Sequence, residues 1–150
     1  MKKYYICILA AVFMFGCDKT ELAKEKKEKN KVISAQLSKL VNKSNIAEIN
    51  SLKLFSSLVI EYSKKSAVLF YSDESVPCVY VKNFFAEVAK NSSSDILFVQ
   101  INLSDKSAKV IGTKYNIFSV PTLVLFNHGE EFNRLVGKTN IENFKSFIKK

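Results

Sequence analysis

The stretch Ala67-Val68-Leu69-Phe70-Tyr71-Ser72-Asp73-Glu74-Ser75-Val76-Pro77-Cys78 decides how this chain is read. Its first five residues are apolar without interruption, as expected of a strand buried on both faces. Ser72, Asp73 and Glu74 then form a polar turn. Ser75 suits the start of a helix, and Pro77 falls in its first turn, where a missing backbone donor costs nothing. The helix is expected to run to about residue 90 through Val79, Phe84, Phe85 and Val88. Cys78 therefore stands at the beginning of a helix that leaves a buried strand.

Working outward, strand and helix patterns alternate. Residues 46–49 read as a short strand, 52–62 as an amphipathic helix, 96–103 as a strand and 107–115 as a helix. Residues 123–126 are another apolar strand, and Asn127-His128-Gly129 turns the chain into a partner strand over 132–136. Thr139-Asn140-Ile141-Glu142 matches a capping box, with Thr139 as the cap and Glu142 reaching back. It opens a last helix with Ile141, Phe144, Phe147 and Ile148 inward. Upstream, Ile33, Leu37, Leu40 and Val41 recur at helical spacing. That stripe suits an extra N-terminal helix packed on the domain, or a partner-binding face. The pattern is that of an α/β protein, a sheet layered with helices.

The stretch 67–78 also resembles the strand, turn and Cys-X-X-Cys helix start of the thioredoxin family, aligned without a gap and with Ser75 in the first cysteine's place. Val120-Pro121-Thr122, just before the strand at 123–126, is similar to the family's cis-proline loop. The resemblance covers about residues 46–150. It implies a thioredoxin fold, α/β with a central mixed sheet flanked by helices, carrying an extra N-terminal helix over a domain from residue 32. It also implies a site: Cys78 as candidate thiol, and Ser75 where relatives carry the attacking cysteine. Asp73, Glu74, Val76, Pro77, Val120, Pro121 and Thr122 would line a groove for extended substrate chains. Three further positions depart from the family. Leu69 stands for its buried carboxylate, Gln100 for the partnering lysine, and Glu74 for the tryptophan before the motif.

Disulfide exchange needs a thiolate to attack a disulfide and, for release, a second thiol to resolve the mixed disulfide. A serine hydroxyl does neither well, so self-contained dithiol turnover is not expected. Two functional classes remain. One is a module that binds extended client polypeptides, cysteine-containing ones included, with single-cysteine mixed disulfides at most. The other is a monothiol oxidoreductase in which Cys78 attacks and an external thiol resolves. Beside both stands a purely structural use of the motif. In it the Ser75 side chain accepts a bond from the Cys78 N–H, and Cys78 is a small buried apolar residue. A dimer joined through Cys78 is a weaker idea.

The 150 residues are enough for one domain with a sizeable core. The three cysteines, Cys7, Cys17 and Cys78, show no metal-ligand or disulfide-framework spacing. The single histidine, His128, lies in a turn, and neither a metal nor a cofactor is expected. Lys2-Lys3, a short apolar stretch over residues 6–15 and Gly16-Cys17 have the pattern of a signal peptide ending in a bacterial lipobox. Residues 1–16 are then removed and Cys17 carries the lipid. An ordinary cleaved signal or an uncleaved anchor are the alternatives. Lipidation would place the domain outside the cytoplasm, anchored to a bacterial membrane, where disulfides persist. Residues 17–31 read as a charged tether whose lysine and glutamate alternation suits a helix or a flexible spacer. The net charge of +9 is spread over scattered lysines without an aromatic stripe. This is a solvated surface rather than a nucleic-acid interface.

Overall fold

The computed structural model describes residues 19–61, 64–92 and 95–149. The expected signal segment and Cys17 lie outside them. The helices are α1 (Lys19–Leu40), α2 (Leu52–Phe55), α3 (Val76–Asn91), α4 (Lys106–Lys114) and α5 (Ile141–Ile148). The strands are β1 (Ile46–Glu48), β2 (Lys65–Tyr71), β3 (Ile96–Asn102), β4 (Thr122–Asn127) and β5 (Glu130–Val136). The sheet order is β1-β3-β2-β4-β5; β1 and β2 run parallel to β3, and β4 and β5 add antiparallel. It is the mixed sheet, flanked by helices, that the sequence implies.

Period-two alternation along each strand divides the core between two faces. Val68 and Phe70, Val99 and Ile101, and Val124 and Phe126 face α2, α4 and the end of α1. Ala67 and Leu69, Phe98, and Leu123 and Leu125 face α3 and α5. Edge-on ring contacts tie the layers: Phe85 meets Phe98 at 5.4 Å and Phe144 at 6.1 Å. Ile33 is buried and Leu37, Leu40 and Val41 pack beside it, so the N-terminal stripe is used for core packing. The charged stretch ahead of it is part of the same continuous helix.

Several details differ from the sequence pattern. The helix expected over 52–62 is α-helical only to Phe55 and continues as a π-helical turn, Ser56–Ile60, closed by the Glu61 N–H on the Ser56 carbonyl. The Ser57 hydroxyl bonds back to the Lys53 and Leu54 carbonyls, and such back-bonding competes with the regular ladder. Val79 in α3 points outward, and Cys78, Val81, Phe85, Val88 and Ala89 form the buried stripe instead. The expected capping box is displaced by one residue. Asn140 caps α5 by accepting from the Asn143 N–H at 2.8 Å, while Thr139 bonds the Asn140 carbonyl. Asparagine is the stronger cap of the two, which favours the later start.

Candidate functional site

Two separate segments meet at one end of the sheet. Phe70 pairs with Thr122 across the antiparallel β2–β4 ladder, so the turn leaving β2 lies beside the loop entering β4. The Val120–Pro121 peptide bond is cis, and the Pro121 carbonyl accepts from the Gly137 N–H at 2.8 Å. Asp73, Glu74, Ser75, Val76, Pro77 and Cys78 are thus brought to the same edge as Val120, Pro121 and Thr122.

Cys78 is the third residue of α3 and only 1 % exposed, packed among Leu69, Val81 and Phe85. Ser75 is the N-cap, yet its hydroxyl makes no capping bond. Its carbonyl accepts from the Cys78 N–H at 2.9 Å instead. The side-chain cap considered from sequence is therefore absent, and Ser75 is half-buried. Asp73 and Glu74 are exposed. Asp73 accepts from Asn102 at 2.6 Å and pairs with Lys82 at 3.2 Å. Val76 and Pro77 are exposed, Val120 is half-buried, and Pro121 is buried. Thr122 is buried too, its hydroxyl donating to the Ser119 carbonyl at 2.7 Å, so its side chain shapes the loop from within.

Exposed apolar groups lie in and next to these segments. Val76, expected from sequence, is more than half exposed; Phe118, 92 % exposed, and Tyr80 and Val136, each more than half exposed, were not singled out from sequence. Lys138 lies 5.6 Å from the Tyr80 ring, which ties the chain after β5 to the first turns of α3. The Val120 N–H and C=O take part in no hydrogen bond among the described residues. An aromatic just ahead of Val120-Pro121 was the available signal for Phe118.

Behind the motif, Leu69 is fully buried and lies level with Gln100 on β3. A carboxylate does reach this layer, but from β1. Glu48 accepts from Gln100 at 2.8 Å and from the Tyr71 hydroxyl at 3.3 Å. Burial, then the negative charges of Glu48 and Asp73, push the Tyr71 phenol well above its ordinary range, so it stays a donor. Glu48, Tyr71, Asp73, Gln100, Asn102 and Asp105 line a polar cleft of about 370 Å³ here. Among the described residues no group of three His, Cys, Asp or Glu is placed to hold a metal ion. None of the described helices is long and apolar enough to cross a membrane.

A family model described as Thioredoxin matches residues 45–150. The chain is 34 % identical over 92 residues to the thioredoxin of Mycoplasma genitalium, covering 61 % of this chain and 86 % of that one. It is 32 % identical over 91 residues to the mitochondrial thioredoxin-2 of Schizosaccharomyces pombe, of whose length it spans 65 %. Among solved structures, a mutant thioredoxin from Halobacterium salinarum superposes with a TM-score of 0.62 at 22 % identity, over 71 % of this chain and 89 % of that one. The thioredoxin of Malassezia sympodialis gives 0.60 at 19 % identity, over 68 % and 86 %. These structures share the thioredoxin fold with this chain.

Proposed function

Since the chain belongs to the thioredoxin family, we propose that it is a client-binding member without self-contained redox turnover. It holds extended polypeptides in the groove between residues 73–78 and 118–121. One observation carries this reading: the N–H and C=O of the half-buried Val120 are unbonded among the described residues, two positions from the almost fully exposed Phe118. An unpaired N–H and C=O can pair with an extended chain as an added strand does, while exposed apolar groups take its side chains. Large exposed apolar groups such as Phe118 beside the unbonded loop favour an interaction surface.

The thiol supports the same reading. With serine at 75, a mixed disulfide formed by Cys78 has no second cysteine among the described residues to resolve it. The burial of Cys78 leaves no path for attack unless the start of α3 opens. Capture of a client is then an occasional event: the Cys78 thiolate displaces one client sulfur as a thiolate and keeps the other. A monothiol oxidoreductase needs that sulfur reachable in the folded state, and its burial weighs against this. We place the domain outside the cytoplasm, held at a bacterial membrane through lipid on Cys17, with residues 1–16 removed.

The test uses carboxymethylated insulin B chain, an extended apolar polypeptide without free thiols, and follows its fluorescence anisotropy. Wild type binds it, and Phe118→Ser weakens binding by at least about tenfold, the scale of one interface hot spot. The melting temperature stays unchanged because the ring is exposed. Binding indifferent to Phe118, or steady reduction of insulin disulfides without added thiol, overturns the proposal.

A further inference from the structure

Arg134 is the one arginine among the 23 lysine and arginine residues of the chain. It sits on β5 opposite Val124, on the sheet face that α4 covers, and its side chain is 27 % exposed. Nε and Nη2 donate to the two carboxylate oxygens of Glu131, each at 2.8 Å. The remaining reach of the guanidinium goes elsewhere. Nη2 donates to the Tyr115 carbonyl at 2.9 Å and Nη1 to the Asn116 carbonyl at 3.0 Å. A planar fork makes these four bonds together; a lysine ammonium is a point donor and cannot span both carboxylate oxygens and two successive carbonyls.

The two carbonyls lie where α4 ends. Asn116 has φ +53°, the Asn116 N–H returns to the Thr113 carbonyl and the Ile117 N–H to the Gly112 carbonyl, a Schellman close. That motif does not use the Tyr115 and Asn116 carbonyls, which Arg134 takes instead, and a cation is favoured there by the helix dipole. From this point the chain runs directly through Phe118 and Val120 to Pro121. We propose that Arg134, held in orientation by Glu131, is a positioning residue for the client loop. It sets the direction in which residues 117–120 leave α4, and hence where Phe118 and the Val120 backbone stand. The role rests on the client-binding reading of that loop.

The experiment compares wild type with Arg134→Lys, which keeps the charge and loses the fork, and Glu131→Gln, which loosens the orientation. Amide hydrogen exchange is read at Asn116 and Ile117, against Leu69 and Val124 in the sheet, and binding is read with the same B-chain probe. In Arg134→Lys, exchange at Asn116 and Ile117 should rise at least tenfold with the sheet amides unchanged, and probe affinity should fall at least fivefold. Glu131→Gln should give the same pattern, smaller. Unchanged local exchange, faster exchange throughout the sheet, or faster local exchange with full affinity each overturns the positioning role. A wild-type protein that binds no probe overturns the client-binding reading instead, while the exchange at Asn116 and Ile117 still decides whether Arg134 fixes the loop.

Discussion

Reactivity of the Cys78 thiol separates a binding module from a monothiol enzyme, and its size follows from burial. The side chain is 1 % exposed beneath the first turn of α3, among Leu69, Val81 and Phe85. An alkylating reagent must wait for that turn to lift or for the domain to unfold. If unfolding is the route, stability at the low end for a domain, about 5 kcal/mol, slows the reaction by between three and four powers of ten. A local opening of the helix start would leave less protection, though still well above tenfold. The assay is the rate of iodoacetamide labelling in a Cys7→Ser, Cys17→Ser background, in native buffer against guanidinium. We expect labelling slowed at least about a hundredfold in the native protein, approaching the free-thiol rate as denaturant unfolds it. A native rate within about tenfold of the denatured one would refute the burial argument and restore the monothiol enzyme.

The remaining expectations concern the hairpin and the motif serine. Gly129 has φ +82°, and a Cβ there would lie 2.2 Å from the Ile60 carbonyl oxygen; Gly137 has φ +88° with nothing within 4 Å. Gly137→Ala should therefore lose only the conformational share, about 1–2 kcal/mol. Gly129→Ala adds a backbone collision, for a further 1–3 kcal/mol or so, and equal urea midpoints for the two would contradict the packing of the β4–β5 turn on the π-helical turn. Ser75→Cys should change stability by no more than about 0.5 kcal/mol, because no side-chain cap is lost. It should also form a bridge to Cys78 and reduce insulin with dithiothreitol as the thiol source. If a folded Ser75→Cys protein shows no turnover above wild type, serine at 75 is not the block, and the uncharged Leu69 and Gln100 become the places to look.

The layering of this domain was legible because its signals are local. The run at 67–71, the polar turn and the serine and proline of a helix start lie within a dozen neighbouring residues. Apolar runs bounded by polar turns, with helical spacing, placed every strand and nearly every helix. The sequence determined, too, that residues 73–78 carry a single sulfur, that of Cys78. Local signals were weakest where two residue types compete. At Thr139 and Asn140 either side chain can cap, and at Ser56 and Ser57 hydroxyls disturb a ladder that apolar spacing alone would continue. Tertiary structure decided the rest. Whether Cys78 faces core or solvent, that Glu48 reaches Gln100 from 52 positions away, and that Arg134 grips carbonyls 18 and 19 positions earlier depend on strand register and on which helix covers which face. Such contacts arise only when distant segments are brought side by side, so no window of sequence contains both partners.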